Sequence, residues 1–351
     1  MIKLGTVLLI LCFPLLFNGQ NDIDFHLNKA QKAIDEEKYT DAIQHISKAL
    51  EYKKTLNSSY KIANLYVNRG VCRHKLKNYA EAEADMDMAL KISPEFLKAF
   101  ENKNKIFFDS RQFDKIIVNS NKALELNPRD TKFLDWMSQA YIEKHEYDNA
   151  LLFTDSILNI SPDDISALRL KGVIYHRQKK YDEAIKTESL ILSNKPNDPG
   201  ALLNRSINYA ELKEYQKAED DNNFAAKVDT SLQYVAYNNT AYFIKISTKD
   251  YKGAIELFDK CIALKPDFAY AYSNRGFCKL QLGDLSGANK DILKSLELDP
   301  NNSYAYKNLA LLRLKQNKTS EACANLKKAN DRGYSIEYDE EVNELIKANC
   351  K

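Results

Sequence analysis

The chain has 351 residues, 44% of them hydrophobic and 28% charged, with a net charge of +2 and only 10 Gly and 8 Pro. This composition suits a folded helical protein and excludes a low-complexity or disordered one. So small a net charge provides no basic field for nucleic acid or an anionic membrane, and neither is expected as a partner.

At the N-terminus, Lys3 precedes an apolar run from Leu4 to Phe17 that is interrupted by Gly5 and Pro14; Asn18, Gly19 and Gln20 follow before charge begins at Asp22. A short positive region, an apolar stretch too short to span a bilayer comfortably, and small or polar residues at a cut site together read as a secretory signal peptide over residues 1–20. An uncleaved membrane anchor is the competing reading. Cys12 does not mark a lipoprotein, because Leu11 stands where a small residue is needed. The mature protein is therefore expected to be exported, to the periplasm or outside the cell, without a membrane span.

Repetition dominates the rest of the chain. Pro94, Pro128, Pro162 and Pro196 are each 34 residues apart, and Pro266 and Pro300 are again 34 apart. A fixed period of this length marks an array of supersecondary units, to be read as one domain. The 70 residues from Pro196 to Pro266 hold two periods and a two-residue insertion, with Thr230 in the empty slot.

Twelve residues before successive slots stand Ala82, Ile116, Ala150, Ala184, Ala218, Ala254, Ala288 and Ala322, so a second helix crosses its neighbour closely there. Three residues earlier come Tyr79, Phe113, Tyr147, Tyr181, Tyr215, Tyr251 and Leu285. Acidic residues follow directly in Tyr-Asp-Glu-Ala-Ile at 181–185, as a helix start favours. Gly70, Gly172 and Gly276, with Ala241 and Ala310, fall where the first helix should touch the second; glycine in a helix costs about 1 kcal/mol against alanine, so its recurrence implies a steric reason. Ile116 and Asn104 depart from this pattern in the third unit, where the hairpin is expected to open or rotate slightly. The insertion of the seventh unit is expected just before Tyr251, around the preceding turn.

These recurring aromatic, glycine, alanine and proline positions resemble the tetratricopeptide repeat family over nearly all of the chain beyond the leader. The resemblance implies an all-α fold, a right-handed α-solenoid of about nine helical hairpins. Their units run near 23–56, 60–95, 96–129, 130–163, 164–197, 198–231, 232–267, 268–301 and 302–335, within an array over 21–336. Residues 337–351 are expected to form a C-terminal capping helix with Val342, Leu345 and Ile346 on one face. The Lys, Asn and Ile content and a leader ending Phe-Asn-Gly-Gln also resemble exported proteins of the Bacteroidetes group.

The same resemblance points to a site. Asn68, Asn102, Asn204, Asn239, Asn274 and Asn308 stand at the sixth position of their first helices, with Trp136 and Leu170 interrupting the series. Helix propensity does not explain the repetition, since asparagine is a mediocre helix former. In the family this position faces the concave groove, and in some members its amide holds the backbone of an extended peptide, matching both C=O and N–H. The alternative is an asparagine inherited from the repeat that touches only water. Tyr242, Tyr270, Phe277 and Tyr304 are expected to face the same groove, as anchors of the kind that dominate interfaces. Lys98, Glu101, Lys105, Lys132, Asp135 and Arg169 mix their signs in the middle, so no capture of a terminal carboxylate is expected.

Of the cysteines beyond the leader, Cys323 and Cys350 flank the last hairpin and are candidates for a disulfide, whereas Cys72, Cys261 and Cys278 sit at packing positions. His26, His45, His74, His145 and His176 show no metal-ligand spacing, and no nucleophile elbow or phosphate loop occurs. The expected function is a non-enzymatic scaffold for a protein or peptide ligand, without metal or cofactor. A component of an envelope or secretion assembly, joined through the convex face or a terminal unit, is the alternative.

Overall fold

The computed structural model describes residues 13–334 and 340–350. Residues 1–12 of the expected leader and 335–339 ahead of the capping helix lie outside them. The described residues are overwhelmingly helical, and no strand occurs among them.

Two compact units meet in sequence at Leu170 and Lys171. The first holds α1 (Phe13–Asp35), α2 (Tyr39–Glu51), α3 (Ser59–Lys75), α4 (Tyr79–Ile92), α5 (Leu97–Asp109), α6 (Phe113–Leu126), α7 (Thr131–Glu143) and α8 (Tyr147–Ile160). Helix α9 (Ile165–Arg177) runs through the boundary. The second continues with α10 (Tyr181–Asn194), α11 (Pro199–Glu211), α12 (Tyr215–Val228), α13 (Gln233–Asn239), α14 (Tyr251–Leu264), α15 (Ala269–Gln281), α16 (Leu285–Leu298), α17 (Ser303–Lys315), α18 (Thr319–Asp331) and α19 (Glu341–Asn349).

Each hairpin is closed by the same turn. In the first described after α3, Lys77 N–H donates to His74 O at 2.8 Å and Asn78 N–H to Arg73 O at 2.9 Å. This double bond to the last helical carbonyls requires a left-handed residue at its centre. That residue is Lys77 (φ 62°), with Arg111, His145, Lys179, Lys213, Lys249 and Asn317 in the same conformation at equivalent positions. Only Gly283 in this series is a residue that adopts positive φ freely. The turns are therefore set by position and bonding, and all but the one at Gly283 lack the glycine that marks them in a sequence.

The crossings are as close as the small residues require. Ala42, Ala82, Ile116, Ala150, Ala184, Ala218, Ala254, Ala288 and Ala322 are all fully buried. A Cβ added at Gly276 would come within 2.8 Å of Ile292 Cγ1, and one at Gly172 within 2.5 Å of Glu188 Oε1. Where Asn104 or Ser138 replaces glycine, a buried polar pair closes the same crossing. Asn104 Nδ2 donates to Ser120 Oγ at 2.8 Å, Asn119 Nδ2 donates to Asn104 Oδ1 at 2.7 Å, and Ser138 pairs with Thr154 at 2.7 Å. The third unit, expected to open, is thus tied shut with Ile116 and Asn104 inside.

One residue before the crossing, an arginine reaches the second helix. Arg69 to Asp85, Arg205 to Asp221 and Arg275 to Asp291 are two-toothed pairs with closest distances of 2.7 Å, each spanning 16 residues. Arg73 and Lys279 add a second cation to the first and last of these.

The seventh unit differs from its expected form. Its turn is regular, with Lys249 N–H on Ile246 O at 2.9 Å and Asp250 N–H on Lys245 O at 2.8 Å. The extra residues lie inside the first helix instead, where Thr240–Ile246 adopts a π-helix after α13. A turn held by two hydrogen bonds has no slack, whereas a helix takes an insertion by widening its bonding to i→i+5.

At the C-terminus, Val342 of α19 is fully buried, packing with Leu326, Ala329 and Tyr334 and covering the last hairpin with Leu345 and Ile346. The Cα atoms of Cys323 and Cys350 are 5.7 Å apart, with the sulfurs at bonding distance.

Burial raises the Asp291 carboxyl, but hydrogen bonds and charge from Arg275 and Lys279 outweigh it and hold the group below its usual range. A depressed folded pKa gives stability that is full above the unfolded value near 4 and is lost as pH falls through the folded one. Asp291→Asn should cost about 2 to 3 kcal/mol at neutral pH. In urea unfolding at stepped pH, the gap to the parent should stay constant above about pH 5 and close below about pH 4.

Candidate functional site

A cavity of about 630 Å³ opens in the second unit. Its walls come from the end of α9, from α11, from the π segment, and from α15 and α17. The chemistry of these walls is divided along the chain. Arg177, Lys179, Glu188 and Glu211 bring all the formal charge, beside Gly172, His176, Asn204, Ile207 and Asn208. From residue 238 onward the lining is uncharged: Asn238, Tyr242, Phe243, Phe268, Tyr270, Asn274 and Tyr304.

On the charged side the amides are already engaged. Asn204 Nδ2 donates to Glu188 Oε1 at 3.2 Å, and the absence of a side chain at Gly172 leaves the room that this buried carboxylate fills. Asn208 Nδ2 donates to Asn204 O at 2.9 Å, while its carbonyl oxygen pairs with His176 Nδ1 at 2.8 Å. On the uncharged side two amides are not engaged. Asn274 is only 6% exposed and its side chain meets no hydrogen-bond partner among the described residues. Asn238 lines the same cavity with a buried carbonyl oxygen that likewise meets none. A buried polar group left without a partner costs about 1 to 3 kcal/mol, so this wall favours a ligand that supplies one.

The aromatic residues are held by one another. The Tyr242 and Tyr304 hydroxyls hydrogen-bond across the cavity, and Tyr242 meets Phe243 edge-on at 4.9 Å. Burial, followed by the neighbouring Tyr334 hydroxyl, pushes the Tyr304 hydroxyl above its usual range, so it remains a neutral donor and acceptor. The Phe268 and Tyr270 rings lie 5.9 Å apart, with Tyr270 41% exposed.

Several residues expected in the groove lie elsewhere. Asn239 is turned into the protein at 6% exposure, and its neighbour Asn238 faces the cavity in its place; the two-residue insertion leaves either asparagine in register from sequence alone. Asn308 is fully buried and donates to Ser273 O at 3.2 Å and Ser273 Oγ at 3.0 Å, fastening α17 to α15. Phe277 is not part of the lining; with Tyr304 and Tyr334 it surrounds the Lys307 ammonium, whose nitrogen lies 5.4, 5.0 and 5.7 Å from the three rings and 3.1 Å from Glu341. In the first unit, Asn68 is half-buried, and Asn102 Nδ2 turns back to Lys98 O at 2.7 Å. Asn204, Asn274, Tyr242, Tyr270 and Tyr304 do converge on the cavity. Sequence reading missed Phe243, Phe268 and Asn238, although the insertion itself was the signal for the first and last.

No group of three or more metal-ligating side chains occurs among the described residues. The Cys72 thiol is pushed up to about 11 by burial and those of Cys261 and Cys278 to about 12, which suits packing rather than reactivity. No described helix is long and apolar enough to cross a membrane.

Against known proteins, family models for the tetratricopeptide repeat match residues 27–95, 137–199, 236–268, 269–302 and 292–324. The chain is 26% identical over 99 residues to Hsp70-Hsp90 organizing protein 2 of Arabidopsis thaliana, a stretch covering 28% of this chain and 16% of that relative. Among solved structures, the C-terminal part of a repeat protein from Cytophaga hutchinsonii superimposes with a TM-score of 0.52 at 21% identity, covering 70% of this chain and 97% of that one. A tetratricopeptide repeat protein from Parabacteroides merdae gives 0.48 at 17% identity, covering 94% and 100%.

The caged Lys307 ties α17 to the capping helix. Lys307→Ala should lower the unfolding free energy by about 2 kcal/mol. Hydrogen exchange over residues 341–349 should accelerate in that variant before the rest of the second unit changes.

Proposed function

Because the chain belongs to the tetratricopeptide repeat family, we propose that it is a non-enzymatic scaffold that binds a segment of a partner protein, in extended form, in the cavity of its second unit. Repeats of this family generally mediate protein–protein interaction. What carries the finer reading is the pair of unengaged amides, Asn238 and Asn274, on the uncharged wall. A peptide group presents one donor and one acceptor to each amide, and it does so whatever its side chains are. Asn204 and Asn308 are committed to internal bonds and hold the walls rather than the ligand.

The test is a selection from a displayed peptide library on the full chain, followed by affinity measurement on individual peptides. Asn238→Ala and Asn274→Ala should each weaken binding about tenfold, equivalent to about 1.4 kcal/mol. Asn238→Ala should melt at or above the parental temperature, since it removes a buried carbonyl oxygen that has no partner. Parental affinity in the double variant would refute the reading.

The protein is further proposed to be exported, following the leader at its N-terminus, with Cys323 and Cys350 bridged. A bridge over this 27-residue separation stabilises the last hairpin by about 3 kcal/mol in the chain-entropy account. Alkylation of protein denatured without reductant, read by mass, should label Cys72, Cys261 and Cys278 and leave Cys323 and Cys350 unlabelled. Label on both terminal cysteines would exclude the bridge.

A further inference from the structure

We infer that the segment bound in this cavity presents a large uncharged side chain, aromatic or leucine-like, to the wall formed by Phe243, Phe268 and Tyr270, and directs its own polar and charged residues toward α9 and α11. This rests on the peptide-binding reading above and adds to it the chemistry of the partner.

The carrying observation is the separation of charge within the lining. Every ionised side chain there stands at or before Glu211, and every lining residue from Asn238 onward is neutral. A charged side chain placed against the second wall would lose hydration without meeting an opposite charge, which penalises it strongly. An aromatic or aliphatic one would remove apolar surface of its own and of three rings from water.

That wall is also fixed in advance. Tyr242 is held by its hydroxyl bond to Tyr304, and Phe243 lies edge-on to the Tyr242 ring. Phe268 is braced by Tyr234 at 5.3 Å. Tyr270 alone among them keeps a large exposed surface, at 41%, so the wall has an open position beside rigid ones. Preorganised aromatic surface of this kind anchors a ligand with little loss of side-chain freedom.

The unengaged amides set where such a side chain enters. Asn238 precedes the π segment and Asn274 lies on α15, and Phe268 and Tyr270 line the same cavity. A segment bonded to both amides passes through the cavity that these rings line. Among the other lining residues, Arg177 and Lys179 are matched by Glu188 and Glu211, so the two signs balance and the segment gains little from net charge of either sign.

A positional-scanning set of equal-length peptides, with each position fixed in turn to Phe, Tyr, Trp, Leu, Ser, Asp or Lys, tests this by fluorescence anisotropy on the full chain. One position should favour Phe, Tyr, Trp or Leu over Asp and Lys by about tenfold or more. Tyr270→Ala should abolish that preference while weak binding persists, and Tyr270→Phe should retain it, both with parental melting curves. Tyr270 is exposed enough for each variant to fold, and circular dichroism checks this. Peptides that bind with no position preferring an apolar residue, or a preference unchanged in Tyr270→Ala, would overturn the inference alone. If no peptide binds, or neutral oligosaccharides bind in place of peptides, the underlying reading fails with it.

Discussion

Everything in either unit depends on how closely two helices cross within a hairpin. The second helix offers an alanine, fully buried in almost every unit, and the first offers glycine, alanine, or a polar residue that faces a partner 16 residues on. Helices that approach this closely fix the positions of all other side chains on both faces, because the interior has no slack to absorb a different spacing. The arginine one residue before the crossing then spans to the second helix only because the gap is short. Three such pairs at the same separation are a consequence of one geometry.

That geometry also explains why the cavity is where it is. A closed, doubly bonded turn and a tight crossing leave the seventh unit nowhere to place two extra residues except inside its first helix. The π segment that results carries Tyr242 and Phe243 and begins two residues after Asn238, and these three residues belong to the uncharged wall. An irregularity that interrupts the repeat thus supplies part of this surface. π-Helical turns recur at functional sites for this reason, since they redirect side chains without breaking the helix.

The asparagines show what repetition alone conveys. One residue type at one position of the repeat serves three ends: Asn308 fastens α17 to α15, Asn204 steadies a buried carboxylate, and Asn274 faces the cavity without a partner among the described residues. Their shared position is legible in the sequence because the period is constant. Their different roles are not, because each depends on what neighbouring helices bring within hydrogen-bond reach, as Ser273 and Glu188 are. The same holds for Lys307, an ordinary basic residue in a helical pattern that becomes the centre of three rings and a carboxylate only when α17, α15 and α19 assemble.

By itself the sequence determined the helical hairpins, their period, the buried alanines and the packing cysteines. Each of these follows from local periodicity and from the size of the residue that a close crossing admits. Tertiary structure decided the rest: the regular turns built on lysine and arginine, the π-helix in place of a longer turn, the choice of Asn238 over Asn239, and the split between a charged and an uncharged wall. The turns and the π-helix are local backbone hydrogen bonds that tight crossings impose, while the walls join residues up to 62 positions apart, and no local pattern encodes which of several similar side chains will be turned toward the same space.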